Sequence, residues 1–187
     1  MTAGMRIRDA LLFAVLLKVA HCGGGSYKRE VKHEDIAQFY SSTATIRTLY
    51  TTMHTDGCKV DTVRTTDYRH TEFNRNYTSQ NNRPSLELVG TFINILHGRR
   101  DVPFNGMDIN MKTGQKLHWY EELLFTFDSL NCGIFFVSTT WGRKGKDYEL
   151  RVRSGSSASR QCYEELISYA RRAGVVASKF KNCTKNI

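Results

Sequence analysis

From about residue 43 the chain alternates short runs of β-branched, aromatic and aliphatic residues with polar turns, and a helical period returns only near its end. Thr43 to Thr55 is rich in Thr, Ile, Leu and Tyr, and Asp56 and Gly57 supply a tight turn before Cys58 opens a second strand. That strand runs to Thr66, with Val60 and Val63 in imperfect alternation. The polar, Asn-rich segment Asp67 to Pro84 predicts an irregular strand plus a loop. Leu86 to Leu96 predicts a strand stopped by Gly98, and Val102 to Met111 a weaker one interrupted by Pro103 and Gly106. Lys116 to Phe127 and Cys132 to Thr140 predict a hairpin around Asp128 to Asn131, and Asp147 to Arg153 a last strand.

Two helices frame these strands. His33 to Tyr40 predicts a short one, with Asp35 in its first turn and Ile36, Phe39 and Tyr40 gathered on one side. Arg160 to Ala173 predicts a longer one, ended at Gly174, with Tyr163, Leu166, Ile167 and Ala170 on the face meant for a β-surface. Seven or eight successive strands joined by turns argue for antiparallel sheet, for which a barrel or a sandwich is the economical way to manage strand edges.

The stretch from Cys132 to Cys162 carries the most chemistry. Asp147, Glu149 and Arg151 recur at period two, so all three point to one face while Tyr148, Leu150 and Val152 point to the other. The charged face is either solvent surface or the lining of a polar cavity.

Residues 1–22 read as a secretory signal: Arg6 and Arg8, then an apolar run from Ala10 to Leu17, then a small-residue site at Ala20, His21 and Cys22. The run is too short to span a bilayer, and residues 23–187 are expected to form one secreted domain. Cleavage there leaves Cys58, Cys132, Cys162 and Cys183, which allow two disulfides in any of three connectivities. Sequons at Asn76 and Asn182 agree with secretion. Losing Arg6, Arg8, Lys18 and Asp9 removes a net +2, so the formal charge falls from +9 to +7. These basic residues are scattered, without the dense stripe of a nucleic-acid binder. No Gly-x-Ser-x-Gly elbow, phosphate loop or His-Glu-x-x-His is present, and His33, His54, His70, His97 and His118 lack zinc-site spacing. We therefore expect no enzyme, metal or cofactor.

Cys132, Ile134, Glu149, Leu150 and Cys162, followed by the terminal helix, resemble the signature of the tick salivary lipocalins, the histamine-binding protein family. Gly133 stands where that signature has an acid and Arg151 where it has an aromatic. The resemblance implies an all-β fold: an eight-stranded antiparallel lipocalin barrel with a short N-terminal helix and a C-terminal helix packed on the barrel. It also implies the bridges Cys58–Cys183 and Cys132–Cys162, and an inward-facing position 149. In such a barrel Asp147 and Arg151 share the inner face with Glu149, opposite Gly133, Phe135 and Val137. On the strand before, the inner set is Trp119, Glu121, Leu123 and Phe125. The ligand-binding residues implied are then Glu149, Glu121, Trp119, Phe135 and Arg151, two carboxylates and an aromatic wall suited to an ammonium.

The function implied is that of a secreted, monomeric scavenger with no nucleic-acid or membrane partner. Its ligand is a biogenic amine such as histamine or serotonin, or a lipid such as a leukotriene or fatty acid. If Arg151 neutralises Glu149 inside the barrel, the balance moves from a cation towards an anionic or neutral lipid. The alternative is a lipocalin scaffold that inhibits a host protein of complement or haemostasis through loops such as Trp141 to Lys146 and Asn74 to Arg83.

Overall fold

Asp35 caps a one-turn helix, α1 (Ile36–Phe39), by accepting from Ala37 N at 3.0 Å and Gln38 N at 3.2 Å. The structure is a computed structural model that describes residues 34–53, 57–78, 85–94, 103–139 and 146–180. The expected leader at 1–22, Cys183 and Asn182 lie outside the described residues, as do Trp141 and the segment 79–84.

Eight strands come after it: β1 (Thr45–Thr51), β2 (Cys58–Thr66), β3 (His70–Thr78), β4 (Ser85–Ile93), β5 (Gly106–Met111), β6 (Trp119–Phe127), β7 (Cys132–Ser138) and β8 (Asp147–Arg153). All pair antiparallel with their sequence neighbours, and β1 also pairs with β8, which closes the ring. Beyond Arg47, where its pairing with β2 ends, β1 takes the two-residue strand β9 (Ser178–Lys179) opposite Thr51 and Tyr50. The helix α2 (Arg160–Arg172) lies against β6, β7 and β8.

The apolar residues separate into two clusters, one inside the ring and one outside it. Inside, Val63, Phe73, Leu88, Phe92, Met107, Ile109, Trp119, Leu123, Phe135 and Val137 join Ile36, Phe39 and Tyr40 of the α1 segment. Phe39 meets Phe135 edge-on at 5.1 Å between ring centroids, and Tyr40 leans on Phe73 at 5.4 Å. α1 thus plugs the end at which β2 and β8 finish, where Thr66 donates to the Tyr40 carbonyl and Arg153 to Ser41 at 2.7 Å. Outside, Ile134, Leu150 and Val152 pack under Cys162 and Leu166 of α2. The Cys132–Cys162 bridge fastens the same interface, and a constraint of this kind contributes roughly 2–4 kcal/mol.

β8 therefore has inverted polarity, with Asp147, Glu149 and Arg151 facing the interior and Leu150 and Val152 facing the helix. The charged face is not solvent surface. An apolar outward face is stable here because α2 covers it.

Several elements depart from expectation. β3 is a regular nine-residue strand rather than an irregular one, because its Asn and Glu residues occupy the outward face while Phe73 and Arg75 alternate inward. β5 begins only at Gly106: the preceding backbone serves other partners, the Phe104 carbonyl accepting from Ile36 N and the Asn105 carbonyl from Leu123 N. Phe125 does not continue the inner row of Trp119, Glu121 and Leu123. A register shift between Leu123 and Phe125 turns it outward, onto the α2 side. α2 presents Cys162, Leu166 and Ala170 to the barrel, with Tyr163 39% exposed, since the disulfide rotates the buried face towards Cys162.

Candidate functional site: an ion network inside the barrel

Strand alternation sends Lys59 and Asp61 of β2, Arg75 of β3, Glu121 of β6, and Glu149 and Arg151 of β8 into the ring. Three cations face three carboxylates, and Tyr40 joins them from the plug. Arg75 grips Asp61 in a two-pronged pair, Nε to Oδ1 and Nη2 to Oδ2, both at 2.7 Å, and sends Nη1 to Glu121 Oε1 at 2.8 Å. Arg151 donates to Glu149 Oε2 from Nε at 2.8 Å and Nη2 at 2.6 Å, and to Glu121 Oε2 and the Tyr40 hydroxyl from Nη1. Glu121 therefore bridges the two guanidiniums. Tyr40 donates to Asp61 Oδ2 at 2.7 Å, which links the plug to both halves of the network.

Lys59 Nζ donates to Glu149 Oε2 and lies 3.9 Å from Glu121 Oε1. Glu149 Oε1 has no hydrogen-bond partner among the described residues. The Arg151 guanidinium lies 4.2 Å from the centroid of the Phe135 ring, so its cation is enclosed by two carboxylates, a phenol and an aromatic face.

Burial alone would push Glu121 up, but Arg151, Arg75 and Lys59 outweigh it and hold the carboxyl well below the usual range. Asp61 is lowered too: burial opposes this, and the charge and hydrogen bonds of Arg75 overcome it. Lys59 is lowered to about 8, first by burial and next by the Arg151 charge, against the attraction of Glu149. The phenol of Tyr77, whose strand position pairs with Lys59, is raised to about 12, chiefly by burial.

Carboxylates with depressed folded-state values contribute stability that is complete above their unfolded value of about 4 and is lost as pH falls through the folded value. Thermal melting should therefore change little from pH 7 to 5 and fall progressively in more acid buffer. Glu121→Gln should flatten that acid limb. A Glu121→Gln curve parallel to wild type would contradict the assignment of the limb to this group.

Of the residues inferred from sequence, Glu121, Glu149, Arg151 and Phe135 come together in this network, and Trp119 lies two residues along β6 from Glu121 in the same inner row. Asn76 is half-buried on β3 and pairs in register with Val60 and Ser85. Cys58 is disulfide-bonded; the pairing with Cys183 lies outside the described residues. Lys59, Asp61, Arg75 and Tyr40 were not foreseen as site residues. Their only signal is period two, Lys59 and Asp61 in one strand and Phe73, Arg75 and Tyr77 in the next, with Tyr40 read only as an apolar face of α1.

No protein-family profile and no curated protein sequence matches the chain. Solved structures do. A siderocalin, Ex-FABP, described as functioning through dual ligand specificities, superposes with a TM-score of 0.55 at 12% identity, covering 76% of this chain and 91% of its own. The chain has the lipocalin fold. A bovine odorant binding protein, a deswapped triple mutant, gives 0.52 at 9% identity over 75% of this chain and 93% of its own. A dog lipocalin allergen gives 0.51 at 13% identity, with 75% and 96% covered. On that lipocalin frame this chain carries an ion network of three cations and three carboxylates across the barrel.

Proposed function

We propose that this chain is a secreted, non-enzymatic salivary lipocalin that sequesters a small host mediator and so suppresses host inflammation or defence. The observation that carries the choice of ligand is the pairing of Glu121 and Glu149, both fully buried, with Arg75, Arg151 and Lys59. Within the network Asp61, Glu121 and Glu149 are each matched by Lys59, Arg75 or Arg151. The fourth inward carboxylate, Asp147, lies apart and accepts from Thr52 Oγ1 at 3.0 Å. None of the network carboxylates is therefore left free to hold an ammonium. A neutral or amphiphilic lipid, such as a fatty acid or leukotriene, fits this interior better than histamine or serotonin.

An apolar wall supports the same reading. Leu86, Met111 and Leu117 are partly exposed and packed against the core at the end opposite α1, beside buried Trp119. Isothermal titration with histamine, serotonin, a leukotriene and a long-chain fatty acid tests the proposal, with heat expected from a lipid and none from the amines. Saturable amine binding would reverse the ligand choice, and silence with all four would remove the carrier reading.

The alternative, a scaffold inhibiting a host protein of complement or haemostasis, gains from one observation: Glu121, Glu149, Arg151 and Phe135 are all 0% exposed, so the barrel is filled at their level. Inhibition of complement lysis or clotting by ligand-free protein would favour it.

A further inference from the structure

Lys59 differs from the other two cations of the network. Arg75 and Arg151 are 0% exposed and direct several N–H donors at carboxylates, whereas Lys59 is 3% exposed and makes one hydrogen bond among the described residues. An ammonium has three donors, so Lys59 is the least committed of the three. It is also the second residue of β2, at the barrel end opposite the α1 plug, where Leu86, Met111 and Leu117 line the apolar side. A primary amine paired with Glu149 and Glu121 thus lies at the same end of the barrel as that apolar wall.

We infer that Lys59 is a covalent capture site for a lipophilic aldehyde, held as an imine beside Glu149. The inference rests on the reading of the barrel as a small-ligand carrier. The free amine of Lys59 attacks the carbonyl carbon and a C–N bond forms. The carbonyl oxygen leaves as water with the two amine hydrogens, and C=N replaces C=O with no change of oxidation state. Protonation from solvent turns the imine into an iminium, which takes over the positive charge of the ammonium. The network stays at three positive and three negative groups, with Glu149 as counter-ion and its Oε1 open to accept. Because the surroundings of Lys59 lower it to about 8, roughly one molecule in ten carries the free amine at pH 7, far more than for an ordinary lysine.

The experiment treats full-length secreted protein with nonanal and sodium cyanoborohydride at pH 7, followed by intact mass and peptide mapping. Nonanol, which cannot form an imine, reports reversible binding in a parallel titration. We expect reduced adduct at Lys59 at least about tenfold faster than at any other lysine, slowed by excess nonanol. Lys59→Arg should lose the fast adduct, with its nonanol affinity read separately in the parallel titration. Nonanol binding with labelling spread evenly over the lysines would overturn capture and leave the carrier reading standing. Absence of both nonanol binding and Lys59 labelling would overturn the two together. The wild-type rate comparison decides the matter even if Lys59→Arg fails to fold.

Discussion

Arg151→Ala is expected to destabilise the protein by about 3–5 kcal/mol, the cost of removing one partner from a buried ion network. The guanidinium it deletes serves Glu149, Glu121 and Tyr40 at once. Without it, Asp61, Glu121 and Glu149 face two cations at positions that are 0–3% exposed, and among the described residues Glu149 keeps Lys59 alone. The space vacated is bounded by two carboxylates, the Tyr40 hydroxyl and the face of Phe135. Those are the groups that recognise an organic cation, so methylguanidinium or agmatine at millimolar concentration should restore part of the lost melting temperature. Arg151→Ala with Glu149→Gln should restore the charge balance, recover stability without added cation and respond less to it. Urea unfolding of the single and double variants, with and without agmatine, measures both effects. Equal stability of Arg151→Ala and wild type would contradict the network's role.

This arrangement bears on which parts of the site were legible. Glu121 and Glu149 sit on strands whose apolar partners and period two are plain in the sequence, and β8 is observed over the residues expected, Asp147–Arg153. The cations were harder to see. A charged residue on a strand is by default solvent-facing, and nothing local overturns that default for Lys59 or Arg75. What overturns it is strand pairing together with ring closure: the β2–β3 hairpin sets Arg75 opposite Asp61, and the closed barrel brings Arg75 to Glu121 across 46 positions and Arg151 to Tyr40 across 111. Each charge is costly inside alone and stable only with the others, so the site is a property of the assembled barrel. The helix α2 shows the same limit on a smaller scale. Its period was readable, but the bridge at Cys162 decides which of two adjacent stripes faces the sheet.

Restoring an acid at position 133 should not restore a cation site, and Gly133→Asp is expected to be among the most damaging single changes in the barrel. A Cβ at Gly133 would lie 2.9 Å from the Phe39 ring, 3.0 Å from Leu123 Cδ1 and 3.0 Å from the Phe135 ring. All three neighbours are fully or almost fully buried, and Phe39 belongs to the plug whose Tyr40 anchors the ion network. Overpacking of this kind costs about 1–3 kcal/mol even for a methyl group. An aspartate adds a carboxylate to an interior that already holds Asp61, Glu121, Glu149 and Asp147, and it either stays charged at a further cost or is protonated with its pKa raised by burial. We therefore expect Gly133→Ala to lose about 1–3 kcal/mol, and Gly133→Asp to lose more and to recover partly in mildly acid buffer as the new carboxyl takes up a proton. Chemical denaturation at pH 7 and pH 5 separates the two contributions: the alanine variant should be indifferent to the change and the aspartate variant should not. Gly133 and Arg151 then act as one device: the glycine admits the plug, the plug carries Tyr40, and Tyr40 helps hold the arginine that occupies the cation's place.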